Sequence, residues 1–86
     1  MSTTDPSAIL DQVQVILMDM FHLTREDVAP EKNLFTDLDL DSLDAIDLAA
    51  ELGTRTQIRF SNDDLRQIRT IADVVQAILT KQSEQA

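Results

Sequence analysis

The sequence predicts an all-α protein, a small four-helix bundle with three main helices and one short helix. Two observations lead to this fold class. Apolar residues recur at helical spacing in three separate stretches, near residues 7–21, 42–52 and 71–79. The one segment with strand-like alternation, residues 37–41, carries aspartate at every second position, and aspartate disfavours strands.

The first helix is predicted to run from about Ser7 to Phe21, after a frayed tail. Asp5 is a candidate cap, and Pro6 suits a first helical turn because its missing N–H would have no partner there. The apolar positions follow the helical period: Ile9, Leu10, Val13, Ile16, Leu17 and Met20.

Residues 22–41 are predicted to form a long loop with one short turn at Arg25–Val28, and Pro30 breaks any helix there. A loop this long in a small domain is usually functional or is pinned to the core. We expect an extended segment anchored by its apolar residues, Leu34, Phe35, Leu38 and Leu40.

The second helix is predicted from about Ser42 to Leu52, with Gly53 weakening or ending it. One stripe at helical spacing is apolar and is formed by Leu43, Ile46, Ala49, Ala50 and Leu52. The acidic residues fall elsewhere on the helix, at Asp44, Asp47 and Glu51.

A connecting loop, from which Ile58 and Phe60 point inward, leads to a short third helix at Asn62–Ile68 capped by Ser61 or Asn62. Thr70 is expected to cap a fourth helix, in which Lys81 near the C-terminal end suits the helix dipole. Residues 82–86 are expected to be disordered.

The chain of 86 residues is expected to form a single domain, 1–86, with flexible ends and a folded part at about 7–80. The predicted core draws on the first, second and fourth helices and comprises Ile9, Val13, Ile16, Leu17, Leu48, Leu52, Ile71, Val74, Val75 and Ile78.

The net charge of −9 is unevenly distributed, because residues 1–54 carry −10 and residues 55–86 carry +1. A strongly negative field disfavours nucleic acid and anionic membranes and favours partners with basic docking patches. The absence of cysteine excludes disulfides and thiolate metal sites. No apolar run approaches a membrane span and no signal peptide is recognisable, so a cytoplasmic monomer is expected.

Most kinds of chemical site are disfavoured by the residues present. The spacing of Asp37, Asp39 and Asp41 resembles a calcium loop, but Ser42 and Leu48 stand where that loop needs glycine and glutamate. His22, the only histidine, has no further soft ligands for zinc, and the single glycine excludes a glycine-rich phosphate loop. No dedicated metal site is expected.

Ser42 is the remaining candidate. It lies where a polar loop becomes an amphipathic helix, and a helix N-terminus favours an attached anion. From the residues alone, Ser42 either caps this helix or carries a group.

The run Asp41-Ser42-Leu43-Asp44 resembles the Asp-Ser-Leu modification motif of acyl carrier proteins. The resemblance covers roughly residues 7–80, and motif, length, charge and helix order together make it specific. The further matching segments are Leu34-Phe35-x-Asp37-Leu38, Asp44-Ala45-Ile46-Asp47-Leu48, Ile58-x-Phe60, Asp63-Asp64 and Ile68-x-Thr70-Ile71-x-Asp73.

This resemblance implies that Ser42 is esterified with 4′-phosphopantetheine, taken from coenzyme A by a phosphopantetheinyl transferase. The arm would supply the thiol that the chain lacks, and acyl intermediates of fatty-acid or polyketide-type biosynthesis would travel on it as thioesters. The chain itself would not be an enzyme. Its other partners would be acyl-loading and condensing (ketosynthase) enzymes and ketoreductase- or dehydratase-type enzymes.

Carriers of this family present the second helix and the preceding loop to enzymes. Carried over to this chain, the docking residues are Asp41, Leu43, Asp44, Ile46, Asp47 and Glu51. The charged ones also fit a solvated helix face, and Leu43 and Ile46 also fit a core. A small hydrophobic space is expected to hold the acyl chain, with room left by Ala45, Ala49 and Ala50.

Two alternatives stay open beside the acyl carrier. A peptidyl or aminoacyl carrier of a non-ribosomal pathway would share the arm but not the cargo. A helical protein-interaction module would use Ser42 as a simple helix cap.

The chain also departs from the family pattern. Asp39 stands where glycine is frequent, and Gly53-Thr54-Arg55-Thr56 replaces a more acidic helix end whose usual aromatic is here Thr56. The second half is mildly basic, through Arg55, Arg59, Arg66 and Arg69. These departures favour a dedicated carrier of a secondary pathway, such as a stand-alone polyketide or aryl-polyene-like system, over primary fatty-acid synthesis.

Overall fold

The computed structural model describes residues 5–85, with side-chain environments described up to Gln82. Four α-helices follow one another along the chain: α1 (Pro6–Phe21), α2 (Ser42–Thr56), α3 (Asn62–Gln67) and α4 (Ile71–Gln85). A 3-10 turn (Glu26–Val28) lies between α1 and α2. The predicted all-α fold with three main helices and one short helix is confirmed. A frayed tail was expected at residues 1–6; residues 1–4 lie outside the described residues, as does the expected disorder at Ala86, whereas Asp5 and Pro6 belong to the start of α1.

Helix α1 begins and ends as local chemistry dictates. The Ser7 N–H donates to the Asp5 carboxylate (3.0 Å), so Asp5 is the predicted N-cap. His22 closes the helix in the left-handed conformation, with φ at 57°, and its N–H donates to the Met18 carbonyl. The apolar face of α1 packs against α4 and α2.

All ten residues of the predicted core are buried. The loops and the segments flanking α3 add five more buried residues, namely Val28, Leu34, Leu40, Ile58 and Ile68. Phe35, Leu38 and Phe60 are half-buried and pack against this core. The loop anchors expected from the sequence are therefore confirmed, and the connections contribute to one continuous core.

Helix α2 does not end near Gly53 but continues to Thr56, so the predicted end at Leu52 is wrong. Gln57 ends the helix in the left-handed conformation, with φ at 59°, and donates its N–H to the Gly53 carbonyl. A Cβ atom at Gly53 would lie 2.7 Å from the Ile58 carbonyl oxygen. Glycine is needed here because the chain folds back against the helix.

Helix α4 extends to Gln85, so the expected disorder of residues 82–85 is wrong. Lys81 therefore lies inside the helix, and its Nζ is 2.8 Å from the Asp64 carboxylate of α3. Together with the Ser61 N–H, the Lys81 ammonium holds the pKa of Asp64 below its ordinary value. This ion pair joins α3 to α4.

The long loop is folded into turns, so the expected extended segment is wrong. The Asn33 side-chain oxygen accepts hydrogen bonds from the Phe35 N–H (2.8 Å) and the Thr36 N–H (3.1 Å). The Asn33 N–H in turn donates to the Asp37 carboxylate (2.7 Å), which closes the turn. These local bonds satisfy backbone groups that a strand would leave unpaired.

A buried glutamine, which the sequence pattern placed among the polar positions of α1, holds the start of this loop. The Gln14 amide donates to the Val28 carbonyl (3.0 Å) and accepts from the Arg25 guanidinium (2.9 Å). Further along, the Leu34 N–H donates to the Arg69 carbonyl (2.8 Å). The loop that leads to α2 is thus tied to both α1 and the start of α4.

Candidate functional site

The N-terminus of α2 is closed by two aspartates. The Asp41 carboxylate accepts from the Asp44 N–H (2.9 Å), and the Asp44 carboxylate accepts from the Asp41 N–H (3.2 Å). This is a capping box in which Asp41 is the N-cap. Ser42 is the first helical residue, so the interpretation of Ser42 as a simple helix cap is wrong.

The Ser42 side chain is exposed, and its hydroxyl makes no hydrogen bond to any residue that the structure describes. The first backbone N–H groups of a helix have no partner within it. The capping box takes the Asp44 N–H, whereas the Ser42 and Leu43 N–H groups have no acceptor in the described part of the chain. An anion attached at Ser42 would therefore lie beside free donors and the positive end of the helix dipole.

The residues before Ser42 hold it at the surface. Leu40 is buried, and its N–H donates to the Leu34 carbonyl (3.1 Å), which anchors the loop two residues before the serine. Asp39 is exposed and adopts the left-handed conformation, with φ at 63°. Glycine is frequent at this position in the resembling family, and this conformation is one that favours glycine.

The two apolar candidates on α2 are both exposed, Leu43 at 69% and Ile46 at 51%. Their reading as core residues is therefore wrong, and the buried side of α2 is formed by Leu48 and Leu52 instead. The sequence placed both residues on the docking face and left a core position as the alternative, because an apolar stripe does not show which side of α2 faces the neighbouring helices. Exposed large apolar residues beside charges are typical of a contact surface.

The acidic candidates differ in their surroundings. Asp41 and Asp47 are exposed, while Asp44 is half-buried in the capping box. Glu51 is half-buried, and its carboxylate accepts from the Arg55 guanidinium at 2.7 Å. Asp47 is thus the acidic residue of α2 whose charge is least committed to the fold.

Two spaces border α2 on the side that faces α3. An apolar cavity of about 10 Å³, walled partly by Ala45 and Ala49, lies in the interior. An open groove of about 570 Å³ lies outside it, and Ala49, Phe60 and Leu65 border both spaces. An apolar space therefore lies at Ala45 and Ala49, but at about 10 Å³ it is too small for the acyl chain that it was expected to hold, and Ala50 lines the outer groove instead.

Other kinds of site find little support in the described residues. Among residues 5–85, no group of three or more His, Asp or Glu side chains is placed to hold a metal ion. His22 lies exposed at the end of α1, and the Ser42 hydroxyl makes no hydrogen bond to it. None of the described helices is both long and apolar enough to cross a membrane.

Comparison with known proteins points in one direction. A family model described as the phosphopantetheine attachment site matches residues 11–78. Acyl carrier protein 2 of Ralstonia nicotianae is 39% identical over 70 residues, which cover 81% of this chain and 86% of that protein. The acyl carrier protein of Chlamydia trachomatis serovar D is 34% identical over 73 residues, which cover 85% and 95%.

Solved structures show the same fold. The crystal structure of an acyl carrier protein from Thermotoga maritima aligns with a TM-score of 0.81 over 94% of both chains, at 22% sequence identity. An acyl carrier protein from Enterococcus faecalis aligns with a TM-score of 0.74 over 88% of this chain and 96% of that one, at 24% identity.

Proposed function

Because the chain belongs to the acyl carrier protein family, we propose that Ser42 is the residue that bears its 4′-phosphopantetheine arm. The observation that carries the proposal is the position of this serine. Its hydroxyl is exposed and unbonded at the first position of α2, within the segment that matches the attachment-site family. The loop before it is anchored by Leu40, so the hydroxyl is held outward for a modifying enzyme.

The modification is a group transfer for which this chain supplies the nucleophile. Ser42 Oγ attacks the pyrophosphate phosphorus of coenzyme A that bears the pantetheine, and a new Oγ–P bond forms. The P–O bond to adenosine 3′,5′-bisphosphate breaks, and the serine proton passes to a base of the transferase. The free N–H groups of Ser42 and Leu43 then face the phosphodiester.

Once attached, the arm supplies a thiol, which this cysteine-free chain lacks, and thiols hold acyl groups as thioesters. The inner cavity of about 10 Å³ is close to the size of a single water probe. Room for an acyl chain would come from movement of α3, which is six residues long and has no buried residue. The small side chains of Ala45 and Ala49 leave space along the side of α2 that borders this cavity.

We name as the docking face Asp41, Leu43, Asp44, Ile46, Asp47 and Glu51. Exposed Leu43 and Ile46 would contact apolar residues of an enzyme, and Asp47 would meet its basic residues. Such electrostatic pairing mainly speeds encounter and selects partners, and salt weakens it. The enzymes are the transferase, acyl-loading and condensing enzymes, and ketoreductase- or dehydratase-type enzymes, while the carrier itself performs no catalysis.

The proposed setting is a secondary pathway in the cytoplasm, with the carrier acting as a monomer. Support comes from the departures in the second half of α2 and beyond it, where Arg55 and Arg59 replace a more acidic surface. Asp39 adds a charge three residues before the attachment site. Both changes alter the surface that pathway enzymes would meet.

The attachment is tested by intact mass after incubation with coenzyme A and a promiscuous phosphopantetheinyl transferase. We expect the wild type to gain the mass of one phosphopantetheine and Ser42→Ala to gain nothing. Ser7→Ala is the matched control, because Ser7 is also an exposed serine in the first turn of a helix. A wild type that gains no mass, or a Ser42→Ala variant that does, contradicts the proposal.

A further inference from the structure

We propose that Arg59 binds a free carboxylate at the far end of the acyl group, so that an arm with such an acyl group lies in the outer groove beside α2 and not in the inner cavity. The chain would then favour acyl groups derived from dicarboxylic acids over neutral acyl groups of the same length. This inference rests on the proposed attachment at Ser42 and adds a specificity-determining residue to it.

The outer groove has the size and lining that such an occupant needs. Its volume of about 570 Å³ falls within the usual range for small-molecule sites. Ile46, Ala50 and Phe60 give it apolar walls for aliphatic carbon. Thr54 and Gln57 make it polar toward the end of α2, where hydrogen-bonding groups of an arm would be satisfied.

The groove begins one turn after the attachment residue and follows the helix. Gly53, which lines it, lies eleven residues after Ser42 on the same helix. That separation is a rise of about 16 Å. An arm with about thirteen bonds from phosphorus to sulfur also spans roughly 16 Å at extended-chain dimensions. An acyl group on that sulfur would therefore begin near Gly53 and end near Arg59.

Among the residues that the structure describes, Arg59 is the only charged one that lines this groove. It is exposed and makes no hydrogen bond or ion pair with any other described residue. Arg25 and Arg55, in contrast, pair with Asp11 and Glu51. A guanidinium with free N–H donors binds a carboxylate through two parallel hydrogen bonds.

The negative charge of the remaining surface distinguishes the position of Arg59. The first 54 residues carry a charge of −10, so the surface near Ser42 repels anions. A carboxylate carried on the arm is therefore driven away from the N-terminal end of α2 and toward the groove end that holds Arg59.

The test compares two forms of the ¹⁵N-labelled chain, loaded with glutaryl- or pentanoyl-phosphopantetheine, which have five acyl carbons each. Loading is verified for every sample by intact mass. We expect the glutaryl form to shift the Arg59 side-chain N–H signal at least threefold more than the pentanoyl form. The excess shift should fall by more than half in 1 M salt, because screening weakens an exposed ion pair.

Two variants complete the experiment. Arg59→Gln should abolish the difference between the two forms at the Gly53 and Phe60 amides, whereas Arg66→Gln should preserve it. Arg66 is the matched control because it is an exposed arginine without an ion pair among the described residues and does not line the groove.

The outcomes separate the two proposals. Equal shifts in verified glutaryl and pentanoyl samples, or a difference that survives in Arg59→Gln, overturn the role of Arg59. The alternative role for Arg59 would then be contact with an acidic residue of a partner enzyme. Failure of the chain to load at all refutes the attachment at Ser42, and with it the proposal that rests on it.

Discussion

Replacing Gly53 by alanine should destabilise this protein, although alanine is the better helix former. Gly53 lies inside α2, where Gly→Ala normally stabilises a helix by about 0.5–1 kcal/mol. Here the added Cβ would stand 2.7 Å from the Ile58 carbonyl oxygen, whereas ordinary contacts lie at 3.4–4 Å. The backbone at Ile58 would have to move by several tenths of an ångström.

That movement is costly because Ile58 is held twice. Its side chain is 3% exposed in the core, and its N–H donates to the Gly53 carbonyl at 3.2 Å. Forcing extra atoms into a packed site typically costs about 1–3 kcal/mol. After the gain in helix propensity, we expect a net loss of about 1 kcal/mol or slightly more in the free energy of unfolding. The melting temperature should fall by roughly 4–8 °C.

Urea unfolding followed by circular dichroism measures this loss, with Ala50→Gly as the control. Ala50 is exposed on the same helix, so this change removes helix propensity without involving a close contact and should cost about 1 kcal/mol. If Gly53→Ala instead raises the free energy of unfolding by about 1 kcal/mol, the close approach to Ile58 does not exist. The explanation for the glycine would then be refuted.

Four further substitutions test individual charged residues. Asp47→Lys should slow modification by the transferase about threefold to tenfold at low salt, as measured by kinetics, and leave the melting temperature within 2 °C, as measured by calorimetry. A large fall in the melting temperature together with the slower modification would mean that Asp47 has a structural role. Asp44→Lys, by contrast, should also lower stability by about 1 kcal/mol, because Asp44 belongs to the capping box. Asp39→Gly should raise the free energy of unfolding by about 0.5–1 kcal/mol in urea titrations, since it relieves a left-handed residue with φ at 63°, and no gain would show that the conformation is unstrained. The pKa of Asp64 is lowered by Lys81, so this pair stabilises the fold above the ordinary aspartate pKa and loses its effect as the pH falls through the lowered value. Lys81→Met should therefore cost about 0.2–1 kcal/mol at pH 7 and nothing once the pH has fallen below the lowered pKa of Asp64, and a loss independent of pH would indicate packing rather than charge.

Local signals in the sequence predicted the elements well. The start of α1 followed from Asp5 and Pro6, because capping groups act on backbone N–H groups within a few residues. Thr70 was likewise identified as a cap, and Ser61 was one of two candidates. The Thr70 hydroxyl accepts from the Asp73 N–H, and the Ser61 hydroxyl accepts from the Asp64 N–H. The same holds for the attachment motif, whose residue types and spacing can be read without a structure.

Features that depend on contacts between residues far apart in the chain could not be predicted from the sequence. Gln14 reads as one more polar residue of an amphipathic helix, yet it is buried because Val28 and Arg25 supply partners for its amide. The periodicity also left open whether Leu43 and Ile46 belong to the docking face or to the core, since a pattern gives the angle between side chains but does not show which side of the helix faces its neighbours.

By itself, the sequence determined that this protein is an acidic, cysteine-free helical bundle with a serine in the modification motif of acyl carriers at a helix start. These properties reside in composition and short-range spacing. The structure showed that Asp41 and not Ser42 is the cap, and that the Ser42 hydroxyl is left without a hydrogen bond among the described residues. It also decided that Leu43 and Ile46 face outward and that Arg59 lines a groove. The physical reason is that exposure and unused hydrogen-bonding capacity depend on what the rest of the chain packs against each residue.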